Sequence, residues 1–448
     1  MPTRTLDPFT GIRHTLEGIC RSTPVGRISR LDSTGFFVDG LADHARLGDD
    51  VIYRGDDGLP ERAEVIRLTR DGLWASPFGT AAGLHIDLPV QAGGAPTLCP
   101  DRSWIGRVVD PFGRPLDGLP IGGGLAQPLR AVPPAAGQRN AMGARQHTGI
   151  AVIDTMLPIA AGQRVGLFAG SGVGKSTLLG QLARRMEADV CVLALVGERG
   201  REVSDFVNTV LGPDGMKRTV VIAATSDTPA PLRRRCAFSA MAVAEYFRDR
   251  GARVLYLLDS VTRLAEAHRE VATAAGETAE LRGYPPSLTP VLASLAERAG
   301  PGVGRQGDIS AIFSVLVAGS DMEEPVADIV RGQLDGHIVL SREIAEAGRF
   351  PAVDVLRSVS RSLPAAASDE ENKLLIEVRR ILGILDRNEM MVSSGLYERG
   401  SSADIDRAVA LVPRLHEVFS QTELADCTDG FRQIATILGR NYSGRSVP

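Results

Sequence analysis

Apolar positions recur along this chain in three different rhythms. Near its start Leu6, Phe9, Ile12, Leu16 and Ile19 return every three or four residues, and Asp7-Pro8 supplies an N-cap and a first-turn proline. The greasy face of that helix serves either its own domain or a partner, and the pattern leaves both open. Over residues 25–77 the period shortens to strand-like runs at 25–31, 35–38, 51–54, 63–68 and 73–76, broken by Asp-Ser-Thr-Gly and Gly-Asp-Asp-Gly turns. Five or six short strands so closely spaced predict a small closed β-barrel.

A Gly/Pro-rich stretch over 91–137 leads into a segment where buried runs and helical periods alternate. Strands are expected at 165–168, 190–196 and 254–258, with helices from the glycine-rich turn after residue 168 to 188 and over 233–250. Such alternation predicts a parallel sheet covered on both faces, with ligands at the carboxyl ends of its strands. From about residue 366 the period is helical. Leu374, Leu375, Val378, Ile381, Leu382 and Leu385 form one stripe, Ile405, Ala408, Val409, Val412, Leu415 and Phe419 a second, and Phe431, Ile434 and Leu438 a third. The chain therefore reads as an α/β protein in four parts: an N-terminal amphipathic helix (1–20), a β-barrel (21–90), a central sheet domain (91–365) and a C-terminal helical domain (366–448).

Composition narrows the picture. A chain of 448 residues is too long for one hydrophobic core. Lys+Arg 50 against Asp+Glu 54 leave a net charge of −4 and a pI near 6.0, too little positive field for bulk attachment to nucleic acid or anionic membrane. Cys20, Cys99, Cys191, Cys236 and Cys427 are scattered, odd in number and without C-x-x-C spacing, the usage of a reducing compartment. No apolar run approaches the roughly 20 residues that span a bilayer, and no basic segment followed by an apolar core opens the sequence. The expectation is a soluble, cytoplasmic protein.

The sharpest chemical signal is Ala169-Gly170-Ser171-Gly172-Val173-Gly174-Lys175-Ser176-Thr177, directly after the run 165–168. A glycine-rich turn between a buried strand and a helix aims backbone N–H groups at phosphate oxygens; Lys175 then reaches the β- and γ-phosphates and the Ser176 hydroxyl can ligate Mg²⁺. A flexible linker would not continue into Lys-Ser-Thr and the helical pattern Leu178, Leu179, Leu182. Ala169 stands where the usual pattern has Gly, which requires its φ to be negative. Asp259 closes the all-apolar run 254–258, where it either holds Mg²⁺ or caps the next helix. Glu198 closes the neighbouring strand and either polarises the attacking water or pairs with Arg199 or Arg201.

With these, residues 106–118, Gly197-Glu198-Arg199-Gly200-Arg201-Glu202, 258–263, Gly283-Tyr284-Pro285-Pro286-Ser287, 334–342 and 350–354 follow in one order that resembles the hexameric rotary-type ATPases. The chain is most similar to the type III protein-export ATPases, relatives of the F-type catalytic β subunit. The resemblance implies a RecA-like P-loop NTPase core with ATP and Mg²⁺ as cofactors. Lys175 becomes the phosphate lysine, Gly170 to Thr177 the phosphate cradle, and Ser176 and Asp259 the metal ligands. Glu198 becomes the catalytic carboxylate, where the non-catalytic F-type subunit carries Gln. Arg199 matches a residue that orients that carboxylate or the γ-phosphate, and Arg263 the arginine that follows the magnesium aspartate. Phe350 takes the place of a family Tyr that stacks on adenine, and Arg361 that of an arginine finger supplied to the neighbouring subunit.

By the same resemblance the protein forms a homohexamer at the cytoplasmic face of the inner membrane, held there peripherally through partners. Those partners are a dimeric stator or regulator at the N-terminal helix, a central stalk protein, the export gate and substrate–chaperone complexes. Residues 395–401 and 404–408 favour flagellar export over the virulence injectisome. Ala151 departs from the family's Arg or Lys. Ring-shaped RNA translocases of the transcription-terminator type share the motor core, but their barrels need exposed aromatics and basic residues. Here residues 20–90 offer only Phe36, Phe37, Tyr53, Trp74 and Phe78, among many acids, so no nucleic-acid partner is expected.

Overall fold

The computed structural model describes residues 23–280, 283–317 and 323–444; the helix expected within 1–20 lies outside them. Two compact units emerge, one reaching to Pro96 and including Ala274–Gly276, the other formed by Thr97–Thr273 and the chain from Glu277 onward.

In the first unit Val25–Leu31, Phe36–Asp39, Asp50–Arg54, Pro60–Leu68, Gly72–Pro77 and Pro89–Gly94 close into a barrel, the last strand pairing back onto the first through Val25↔Gln91. Alternate positions fill it: Ile28, Phe36, Val38, Val51, Tyr53, Val65, Leu73 and Val90 are buried, as a pleat with one face inward requires. Gly72 lets two strands approach, since a Cβ there would stand 2.3 Å from the Val38 carbonyl oxygen. The sixth strand runs through the expected boundary at residue 90, in Gly/Pro-rich sequence whose propensity hides it.

The second unit is built on a sheet ordered Val353–Ser360, Gly336–Leu340, Arg164–Ala169, Asp308–Leu316, Arg253–Asp259, Val190–Glu198, Thr219–Thr225 and Val108–Val109. Along this path only the edge pair, Gly336–Leu340 with Val353–Ser360, is antiparallel. Strand residues alternate between two cores. Leu193, Leu255 and Ile312 pack with Leu178 and Leu182 of the helix Lys175–Arg185, whereas Val192, Tyr256 and Phe313 pack with Ala237 and Ala240 of the helix Ala230–Arg248. Burial on both faces explains why these strands read as unbroken apolar runs.

The three C-terminal stripes are the inner faces of the helices Asp369–Ser393, Ala403–Phe419 and Cys427–Leu438. Leu374, Val378, Leu415, Phe431 and Ile434 join the core that holds the phosphate-loop helix, so this segment forms one compact unit with the central sheet. Glu371 both completes the Ser368 capping box and receives Arg145 at 3.1 Å, which ties the first of these helices to the central domain.

Candidate active site

The phosphate loop leaves the sheet at Ala169. Among the described residues Asp87 is the one non-glycine with positive φ, so Ala169 keeps the negative φ its Cβ needs. Gly172 and Gly174 adopt φ of +78° and +94°, the left-handed region that makes glycine the natural choice. Gly174 caps the helix Lys175–Arg185 without any side-chain hydrogen bond, which leaves the first-turn N–H groups free for an anion. Ser176 and Thr177 are exposed on that turn. Phe350 flanks the loop: a Cβ on Gly174 would lie 3.5 Å from its ring, and the ring's residue is 50% exposed, half available to a flat ligand.

Lys175 donates to Asp259 Oδ1, and Ser314 Oγ donates to the same oxygen at 2.8 Å. Asp259 is only 2% exposed, so its charge requires a nearby cation, and the Lys175 ammonium supplies it. Asp259 and Ser176 offer hard oxygen donors, the set that Mg²⁺ takes.

Glu198 ends the strand beside Asp259, with Leu195 in register with Asp259. Burial, reinforced by the Asp259 charge and a hydrogen bond to Glu202, raises its carboxyl to about 7. Glu202 accepts that bond and is held below the usual carboxylate range, so the pair shares a proton. Among the described residues neither Arg199 nor Arg201 bridges to Glu198. Arg199, its side chain 81% exposed, lies 3.7 Å from Glu202, and Arg201 3.6 Å from Asp205. The ion-pair alternative for Glu198 is therefore not realised, and Arg199 reaches it only through Glu202. Arg263 backs this corner, since a Cβ on Gly197 would sit 3.3 Å from it. Its Nη1 donates to Glu266 at 3.0 Å while its buried Nε–H has no partner among the described residues.

Arg361 lies elsewhere. The edge strand returns antiparallel, with Leu340↔Val353 and Gly336↔Ser360 in register, and delivers Arg361 to the amino end of the sheet, where its N–H donates to the Asp335 carbonyl at 2.9 Å. Its side chain is exposed and forms no ion pair with the described residues. The strand Arg164–Ala169 separates that end from the phosphate loop, about 17 Å at 3.3 Å per residue. The structure thus gathers Lys175, Ser176, Glu198, Asp259 and Phe350 around one loop and leaves Arg361 at the far end of the same sheet. Two polar residues were not anticipated: Glu202, and Ser314, whose sequence signal is one hydroxyl in an apolar run.

Comparison with known proteins decides the family. Residues 149–360 match the model of the ATP synthase alpha/beta family, nucleotide-binding domain, and 367–431 that of the T3SS EscN ATPase C-terminal domain. The flagellum-specific ATP synthase of Bacillus subtilis (strain 168) is 41% identical over 400 residues, 88% of this chain and 90% of that protein. The chain belongs to the type III export ATPases. The SPI-2 type 3 secretion system ATPase of Salmonella typhimurium is 44% identical over 368 residues, 82% of this export ATPase and 84% of the relative. The solved structure of the assembled ATPase EscN from the enteropathogenic E. coli type III secretion system superposes with a TM-score of 0.85 at 34% identity, covering 92% of this chain and all (100%) of that one. EscN in complex with its central stalk EscO gives 0.83, with the same identity and coverage, 34%, 92% and 100%. The export ATPase thus has the nucleotide-binding core, barrel and helical segment that its sequence predicts, and it is an ATP hydrolase.

Proposed function

We propose that this export ATPase cleaves MgATP at seams between copies of itself, each seam joining one copy's phosphate loop to a neighbouring copy's Arg361. The observation that carries this reading is the separation of Arg361 from its own loop by the length of a strand, with its guanidinium unpaired among the described residues. On ATP binding, Lys175 exchanges Asp259 for the phosphates, the open N–H groups of residues 170–175 hold the polyphosphate, and Phe350 covers the adenine. Mg²⁺ at Ser176 and Asp259 supplies charge neutralisation on the phosphate oxygens. Ser314 keeps the freed Asp259 oxygen oriented. Glu198 takes the proton of the attacking water while Glu202 accepts its hydrogen bond. Arg199 tunes Glu202, and the neighbouring copy's Arg361 meets the charge on the transferring phosphoryl group.

The working assembly in this reading is a homohexamer at the cytoplasmic face of the inner membrane, energising unfolding and export of flagellar substrates. Residues 1–20 bind a dimeric stator, and the helical domain faces a central stalk, the export gate and substrate–chaperone complexes; EscN's complex with its stalk EscO supports the stalk assignment. Association with the membrane runs through partners: among the described residues no helix is long and apolar enough to cross one. Against an RNA translocase, Phe36, Phe37, Tyr53 and Phe78 are buried in the first unit, leaving Trp74 as the one remaining candidate stacking platform among the described aromatics of that unit. Turnover measured across protein concentration, with Arg361→Ala doped into wild type, tests the shared site. Steep activation and poisoning by the variant are expected. Linear activity without poisoning would remove the seam.

A further inference from the structure

Away from the nucleotide site, His147, Asp154 and Cys427 bring their ligand atoms within 4.8 Å of one another. His147 and Asp154 come from the segment ahead of the phosphate-loop strand, and Cys427 opens the last helix. We infer that these three side chains form a site for a borderline divalent cation of the zinc class, fastening the last helix to the central domain.

The spacing fits. Zinc takes imidazole nitrogen at about 2.0–2.1 Å, carboxylate oxygen at about 2.0–2.2 Å and thiolate at about 2.3 Å, so tetrahedral neighbours lie about 3.3 Å apart for N and O and about 3.6 Å for N and S. Here His147 Nδ1 lies 2.9 Å from Asp154 Oδ2 and 3.6 Å from Cys427 Sγ. The surrounding bonds already orient the ligands as in metal sites, where the second ring nitrogen donates to a carbonyl and the carboxylate is itself hydrogen-bonded. His147 Nε2 faces the Leu424 carbonyl at 3.1 Å. Asp154 accepts from Thr148 N and Oγ1, each at 2.8 Å, and from Gly149 N at 3.0 Å.

The ring's surroundings admit two states. Both of its nitrogens face acceptors, and a neutral imidazole has one N–H. Either the ring is an imidazolium, or its Nδ1 lone pair holds a cation that Asp154 and Cys427 also grip. The two states carry equal charge: imidazolium, carboxylate and thiol become imidazole, carboxylate, thiolate and M²⁺, with two protons released. Mixed N, O and S donors select a borderline ion over Mg²⁺ or Ca²⁺, and water completes the fourth position.

The test uses the full chain stripped of metal, with Co²⁺ as probe. One equivalent is expected to produce thiolate-to-cobalt charge-transfer absorption that Zn²⁺ displaces, and one equivalent of Zn²⁺ to raise the melting temperature by at least about 3 °C. Cys427→Ser is expected to abolish the absorption, and His147→Gln to weaken binding at least tenfold. Because either variant can fold poorly, alkylation of wild type mapped by mass spectrometry provides a second reading, with Zn²⁺ slowing modification of Cys427. Absence of the absorption in wild type, its survival in Cys427→Ser, or alkylation of Cys427 at an unchanged rate would overturn the site.

Discussion

The two ends of the central sheet are built from similar charged residues and reach opposite outcomes. At the amino end Arg164 is bonded to Asp335 at 2.9 and 3.0 Å and to Glu297, Gln163 spans the Asp335 carbonyl and Ser360, and Ser360 donates to Pro158 O at 2.6 Å. Those partners satisfy one another, the buried Asp308 Oδ1 at the same end lacks a partner among the described residues, and the exposed Arg361 is left over. At the carboxyl end Lys175 neutralises Asp259, burial raises the Glu198 carboxyl to about 7, Arg263 Nε lacks an acceptor among the described residues, and the helix start is uncapped. An end whose bonds mostly close on themselves serves stability. An end whose polar groups are held in incomplete arrangements is waiting for a ligand, and the leftover cation of the closed end is what such a ligand would draw from a neighbour.

That contrast breaks first at Arg361. Arg361→Ala should lower turnover by roughly 10³–10⁵ with nucleotide affinity retained, checked by single-turnover hydrolysis beside equilibrium binding of a fluorescent ATP analogue. A loss of binding instead would assign Arg361 to its own copy's fold. Glu198→Gln comes next, with roughly 10²–10⁴ of turnover lost and ATP still bound. Retained turnover would make the chain's carboxylate dispensable. The same variant has a stability signature. Glu198 is raised from 4.5 to about 7 in the fold, so its stabilising effect is full below pH 4.5, fades as the pH rises to about 7, and leaves a buried charge above. Glu198→Gln should therefore melt higher than wild type at pH 8 and not at pH 4.5.

Smaller effects sharpen the comparison at Ser314. A hydrogen bond to a charged group contributes about 1.5 kcal/mol or more, roughly tenfold in rate. Ser314→Ala should lose about that much in kcat and need more Mg²⁺ to bind nucleotide, while Ser314→Thr restores both. Equal loss in Ala and Thr would reduce Ser314 to packing. The mildest effect is in the pH profile: kcat/KM should rise through about pH 7 as Glu198 ionises, and Glu202→Gln, which removes the negative charge beside it, should move that inflection down.

How far the sequence anticipates this depends on what each residue needs around it. Local chemistry is readable: the apolar run before Ala169, the glycines at 172 and 174 and the closing positions of Glu198 and Asp259 follow from strand, turn and helix rules. The antiparallel return of Val353–Ser360 is not local, and without it Arg361 has no address. Ser314 acts across two strands and looks like a tolerated hydroxyl in a core. Arg199 sits next to Glu198 in sequence yet projects outward to Glu202, because successive residues leaving a strand point to opposite sides. The barrel's last strand is concealed by its glycines. His147 and Cys427 lie far apart in sequence, and no spacing rule joins them.

In a working site of this kind the cation and the phosphate loop come from different copies. The most direct measurement uses a γ-linked thiol-reactive ATP analogue and a chain carrying Lys175→Ala with Arg361→Cys, which cannot hold nucleotide itself. Labelling of residue 361 only after wild-type chains are added is the predicted result. Labelling that requires Lys175 on the same chain as the cysteine would contradict it.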